Sequence, residues 1–190
     1  MLDAILRRQS ETFLAPVAAR VAALGIGANA LTLSAAVCGI VAVLDIGHRY
    51  YLIGLAALVL GRVFDALDGA VARRAGPTAS GATLDLVLDL VVAAAIPFSF
   101  ALAQPDHALA AMFLMLGLVA RAGASVAVRQ TGWPGESLDQ AGGLIGKTEL
   151  FLAFALACVF PNWFSIIAYA VGILCFIAAG SRTAAILAKP

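Results

Sequence analysis

Of the 190 residues, 63% are hydrophobic and only 12% charged, with a mean hydropathy of +1.00; a soluble domain carries about a quarter charged residues, so an ordinary soluble protein is excluded. A net charge of +1 provides no basic field and argues against a nucleic-acid partner. The three cysteines, Cys38, Cys158 and Cys175, stand singly in apolar runs without metal-ligand or disulfide spacing, and read as buried inert thiols.

In chain order, the first element is an amphipathic helix over 1–22. Apolar Leu2, Ile5, Leu6, Phe13, Leu14 and Val17 alternate with Arg7, Arg8 and Arg20, the pattern of a helix lying in the membrane interface. It lacks the basic-then-apolar order of a cleavable signal peptide. A spanning helix needs about 20 mostly apolar residues, and six such segments follow, over 30–46, 50–72, 81–104, 107–128, 144–160 and 163–183. Turn chemistry separates them: Gly47-His48-Arg49, Ala75-Gly76-Pro77, Gln104-Pro105-Asp106, the stretch 129–143, and Pro161-Asn162. The expected fold is an all-α integral membrane bundle of six transmembrane helices behind an interfacial helix, forming a single domain over 1–190.

Charge enters these helices at one end only. The second span is apolar from Tyr50 to Leu60 and then carries Arg62, Asp65, Asp68 and Arg73. The third begins with Asp85 and Asp89 and is then uncharged; the fourth is uncharged until Arg121; the fifth starts with Lys147 and Glu149; the sixth is uncharged until Arg182. Because direction alternates from span to span, these ends share one membrane face. Of the twelve Lys and Arg residues, all but Arg49 fall on that side, which the positive-inside rule makes cytoplasmic. Both termini are expected there, in the inner membrane of a bacterium. His48 and His107 fall on the opposite side. Tyr50, Tyr51, Trp133 and Trp163 read as interface anchors.

The chemistry sits in Asp65-x2-Asp68-Gly69-x2-Ala72-Arg73-x7-Gly81-x3-Asp85-x3-Asp89. Residues three or four apart share a helix face, so Asp65 pairs with Asp68 and Asp85 with Asp89. The short loop between the two helices makes them antiparallel neighbours, and the four carboxylates of Asp65, Asp68, Asp85 and Asp89 should converge as candidate metal ligands. Each ionised group within a membrane costs about 2.5–3.5 kcal/mol, and mutual repulsion favours protonation. Too few bases lie nearby to pair with all four. A divalent cation resolves both problems, and an all-carboxylate ligand set without His or Cys selects Mg²⁺ or Mn²⁺ over zinc. Such sites serve phosphate chemistry. Gly69 and Gly81 allow a bulky ligand to approach the backbone, although glycine also serves close helix packing. Arg73 supplies a planar fork of donors for phosphate.

This pattern is similar to the signature of the CDP-alcohol phosphatidyltransferase family, and every fixed position of that signature is present. The resemblance covers nearly the whole chain. It implies a CDP-diacylglycerol donor, a small alcohol acceptor, a homodimer among membrane lipids and a site facing the cytoplasm. It implies that Asp65, Asp68 and Asp85 hold metal, that Asp89 is the catalytic base, and that Gly69, Ala72, Arg73 and Gly81 line the CDP pocket. Asn29 and Thr32 resemble the family's Pro-Asn-x2-Thr, which contacts the nucleotide end; here Ala28 replaces the proline. Members that use glycerol phosphate usually read Asp-Pro-x2-Asp-Lys at the last two aspartates, where this chain has Leu86 and Leu90. The run over 81–98, together with Gly142-Gly143-Leu144 and Thr148-Glu149, looks more like a proteobacterial branch without a settled acceptor. Arg121, Lys147 and Arg182 are the candidate pocket for a phosphorylated acceptor; alternatively they pair with Glu149 or snorkel to headgroups.

Two other classes compete. A small cation transporter requires polar residues through the outer halves of the helices, and those halves are almost bare of charge. A non-catalytic lipid-binding protein would be expected to lack at least one aspartate, and all four are present.

Overall fold

The computed structural model describes residues 16–76, 78–130 and 145–187. Among them, α1 covers 16–23, α2 Ala28–Gly47, α3 Tyr51–Ala75, α4 Ala79–Ala103, α5 Ala108–Gln130, α6 Lys147–Val159 and α7 Phe164–Leu187. Short 3₁₀ turns at Pro105–His107 and Pro161–Trp163 lead into α5 and α7. The described residues contain no strand. The helices from α2 onward match the six apolar segments to within a few residues. The start of the first helix, Pro77, Trp133, Gly142-Gly143-Leu144 and most of the 129–143 loop lie outside the described residues.

Four helical stretches are long and apolar enough to cross a membrane: Ala28–Gly47, Ala79–Ala103, Pro105–Val128 and Pro161–Leu187. The apolar run of α3 is interrupted by Arg62, Asp65 and Asp68, and α6 has only 13 residues. The size distribution along α2 fits a lipid surround. Between Leu31 and Ile46 its buried face carries small residues, Thr32, Ala36, Gly39 and Ala42, while Leu33, Val37, Ile40 and Leu44 are more than half exposed. A helix that turns its large apolar residues outward and its small ones inward gains from close backbone approach in a solvent already apolar. This is a membrane protein.

The described residues divide into two compact units, one up to Ile96 and the other from Pro97 onward, the boundary in sequence falling in α4. In the first unit, α1 ends with Gly25 in the left-handed region (φ 76°), its N–H reaching the Ala22 carbonyl while the Ile26 N–H reaches that of Val21, a pattern that satisfies carbonyls otherwise orphaned at a helix end. α2 stops in the same way. The Tyr50 N–H donates to the Asp45 carbonyl at 2.8 Å and the Arg49 N–H to that of Ile46 at 2.9 Å, with Arg49 at φ 68° where glycine is usual. The chain then reverses and α3 runs back along α2. Their approach is set by Gly61, where an added Cβ would stand 3.3 Å from both the Ala35 carbonyl oxygen and Cys38 Cβ. α4 approaches α2 where Val92 closes over Gly39. Ala18 of α1 is fully buried in a small core with Leu31, Leu67, Ala70 and Val71, so α1 docks on the turn of α3 that carries the motif.

In the second unit α5 pairs with α7. A Cβ on Gly117 would meet the Gly172 carbonyl oxygen at 3.0 Å and Cys175 Cβ at 3.2 Å. At the other end of the pair, Phe100 stacks on Phe164 with ring centroids 4.3 Å apart, and His107 Nδ1 lies 2.6 Å from Ser165 Oγ.

Candidate active site

The last three turns of α3 and the first three of α4 carry the motif. Helical spacing places Asp65 and Asp68 on one face of α3, and Asp85 projects from α4 towards them. Carboxylate oxygens of Asp65, Asp68 and Asp85 all lie within 4.8 Å of one another. Asp89, one turn further along α4, is not a member of this group; its Oδ2 atom is buried. Three of the four aspartates are thus drawn together.

Asp68 is 7% exposed, the most enclosed of the three, and Oδ2 accepts a 2.8 Å hydrogen bond from the Thr32 hydroxyl on α2. Asp65 forms an ion pair with Arg62, one turn earlier on α3. The sequence reading had not assigned this partner to Asp65, although the i, i+3 spacing was there to indicate it. Two ionised carboxylates about 4–5 Å apart repel by roughly 3–4 kcal/mol at an effective dielectric near 20, and Arg62 offsets only part of that. The donor set is all oxygen, compact and over-negative, and oxygen ligands about 2.1 Å from one ion lie roughly 3–4 Å from each other. These residues therefore fit a hard divalent cation.

The expected donor pocket adjoins this cluster. At the start of α4 the Gly81 N–H donates to Thr78 Oγ1 at 3.2 Å, and Asn29 Oδ1 would lie 3.0 Å from a Cβ at Gly81. Asn29 of α2 and Gly81 of α4 are therefore in close approach, as a shared pocket requires. Arg73 reaches back one turn over Gly69, its NH1 atom 3.3 Å from where a Cβ of Gly69 would be. Arg73 is exposed, and Ala72 between them is half-buried. The glycine thus leaves space beside a guanidinium, an arrangement that accepts phosphate.

Arg121, Lys147 and Arg182 lie in the second unit. Arg182 is 7% exposed within α7, and its NH1 atom donates to Ser125 Oγ at 2.5 Å. Ser125 in turn donates to the Arg121 carbonyl at 2.8 Å, and Arg121 NH1 donates to the Ile145 carbonyl at 3.0 Å. Arg121 Nε is buried and has no hydrogen-bond partner among the described residues. Ser125 thus links the Arg182 guanidinium to the backbone of Arg121; it is a residue the sequence reading missed, and its only signal was its position four residues after Arg121. Lys147 is exposed at the start of α6, and the next turn is fixed by Glu149, whose carboxylate accepts from the Gly146 N–H at 2.9 Å.

The CDP-alcohol phosphatidyltransferase model matches residues 26–180, most of the chain and all of the motif. The chain belongs to the CDP-alcohol phosphatidyltransferase family. It is accordingly a transferase of that class. The inner membrane protein YnjF of Escherichia coli (strain K12) is 34% identical over 168 residues, covering 83% of this chain and 82% of that protein. Among solved structures, the phosphatidylinositol phosphate synthase PgsA1 of Mycobacterium tuberculosis with CDP-DAG bound has the same fold. Its TM-score is 0.78 at 18% identity, over 93% of this chain and 94% of that one. The same synthase in complex with manganese and citrate gives a TM-score of 0.78 at 19% identity, over 93% and 90% of the two chains.

Proposed function

We propose that this phosphatidyltransferase takes its phosphatidyl group from CDP-diacylglycerol and passes it to a small, phosphorylated alcohol with release of CMP. The observation that carries the reading is the convergence of Asp65, Asp68 and Asp85 to within 4.8 Å inside a complete family motif. These three hold the divalent cation, Mg²⁺ or Mn²⁺, which when bound neutralises pyrophosphate oxygens. Arg73 binds donor phosphate, with Gly69, Ala72 and Gly81 leaving room for the nucleotide and Asn29 closing its far edge. Asp89 takes the proton of the acceptor hydroxyl. The hydroxyl oxygen then bonds to the phosphorus that carries diacylglycerol, the bond from that phosphorus to the bridging pyrophosphate oxygen breaks, and CMP departs with the electron pair. The separation of Asp89 from the group of three supports its role as base rather than ligand. Arg121 and Arg182, whose guanidinium Ser125 ties to the Arg121 backbone, with Lys147 nearby in sequence to Ile145, receive the acceptor's phosphate.

The same reading takes α2 to α7 as six crossings with both termini in the cytoplasm of a bacterial inner membrane, α1 along the interface, and a homodimer. The polar ends of α3 and α4, the apolar remainder of each helix and the YnjF likeness support it.

The test is CMP release by purified protein supplied with CDP-diacylglycerol and a panel of phosphorylated and unphosphorylated alcohols. Release should require donor and acceptor together, stop with excess chelator, and return with Mg²⁺ or Mn²⁺. Undiminished release in excess chelator would overturn the metal assignment, and no release with any alcohol would overturn the transfer.

A further inference from the structure

We infer that Thr32 is a positioning residue for the metal site: its hydroxyl fixes the Asp68 carboxylate rather than contacting the nucleotide. The inference rests on the reading of Asp68 as a metal ligand. A hydroxyl has one proton to donate, and two acceptors lie within reach of Thr32 Oγ1, the Ala28 carbonyl at 3.1 Å and Asp68 Oδ2 at 2.8 Å. The carboxylate is the stronger acceptor and the nearer one. Thr32 and Asp68 are 6% and 7% exposed, so bulk water does not compete for either.

The restraint acts on orientation. Thr32 is β-branched and sits inside α2, which restricts its χ1 to two rotamers, and the contact with the carbonyl one turn back marks the one it adopts. A hydroxyl so held pins one Asp68 oxygen and so restrains the carboxylate that meets Asp65 and Asp85. The close α2–α3 packing at Gly61 supplies the reach, because a side chain as short as Thr spans two helices only where their backbones nearly touch. Partners that orient a metal ligand in this way are worth about 10–100-fold in metal affinity.

The experiment is a Mn²⁺ titration followed by electron paramagnetic resonance, on the purified full chain in lipid nanodiscs without donor. It is paired with CMP-release kinetics at saturating Mn²⁺. Thr32→Val keeps the shape and removes the hydroxyl, while Thr32→Ser keeps the hydroxyl and removes the methyl. Thr32→Val should weaken Mn²⁺ binding about 10-fold or more, with KM for CDP-diacylglycerol unchanged, and Thr32→Ser should restore wild-type affinity. Wild-type Mn²⁺ binding by Thr32→Val together with a raised KM for the donor would make Thr32 a nucleotide contact and overturn the inference. Should Thr32→Val fail to fold, Thr32→Ala decides by the same two readouts. Asp68→Asn separates the two levels. If it binds Mn²⁺ like the wild type, the metal role of Asp68 falls and this inference with it. If Asp68→Asn loses Mn²⁺ while Thr32→Val does not, the metal site stands and only the role of Thr32 is lost.

Discussion

Gly81 at the start of α4 faces Asn29 of α2 so closely that a methyl group on Gly81 would lie 3.0 Å from the Asn29 side-chain oxygen and 2.9 Å from the Thr78 hydroxyl. Both neighbours are the ends of polar side chains, so they can turn away, and the cost falls on their orientation more than on the fold. Gly81→Ala should therefore leave thermal stability close to wild type and raise KM for CDP-diacylglycerol several-fold. Gly81→Val should raise it further. CMP-release kinetics at varied donor concentration, beside a melting curve, check both parts.

Asp89 tests the division of labour among the aspartates. Four residues of helix carry it about 6 Å along the axis from Asp85, which agrees with its exclusion from the group of three. Asp89→Asn keeps shape and most hydrogen bonding but cannot accept the proton. It should retain Mn²⁺ and donor binding while turnover falls by roughly two orders of magnitude or more. Asp85→Asn should lose metal and turnover together. Equal loss of Mn²⁺ affinity in the two variants would show Asp89 to be a ligand first.

Arg121 bears on acceptor choice. Its buried Nε atom has no hydrogen-bond partner among the described residues, and a hydrogen bond to a charged group is worth about 1.5–3 kcal/mol. Arg121→Gln should lower kcat/KM for a phosphorylated alcohol by about 10–100-fold, with little change for its unphosphorylated analogue or for the donor. Competition between the two alcohols in one assay measures the change in preference directly. An equal fall for both alcohols would place Arg121 outside acceptor recognition.

Stability should respond most where backbone meets backbone. The neighbour of Gly117 is the Gly172 carbonyl oxygen at 3.0 Å, which cannot rotate aside as Asn29 can. Gly117→Val should force α5 from α7 at a cost of about 1–3 kcal/mol, seen as a lower unfolding temperature in detergent. An unchanged melting curve would mean that this contact does not limit the helix spacing.

The helices and the carboxylate triad were legible in the sequence because each depends on local periodicity. Apolar runs marked α2 to α7, and i, i+3 spacing brought Asp65 to Asp68. The short loop after Ala75 then brought Asp85 back to them. Asp89 was expected to converge with the others, and it is not among the three carboxylates that meet. The Arg62–Asp65 pair was also local, within one turn of α3. What could not be read were contacts fixed by helix pairing. Thr32 meets Asp68 across 36 positions and Arg182 meets Ser125 across 57, each in a helix pair brought close by glycines that could equally have faced lipid.

The brevity of α6 has a consequence for the bilayer itself. Its 13 residues, Lys147–Val159, extend only about 20 Å, whereas a typical hydrocarbon core is about 30 Å thick. On the proposed six-crossing reading, a helix of that length draws headgroups inward around Lys147 or is completed by the residues that flank it. The surrounding lipid is then compressed on one side of the protein, and its resistance depends on acyl-chain length. Reconstituted in phosphatidylcholines of increasing chain length, the protein should work best in thin bilayers and lose turnover as they thicken. The lipids in which the protein resides would thereby set the rate at which it makes more of them.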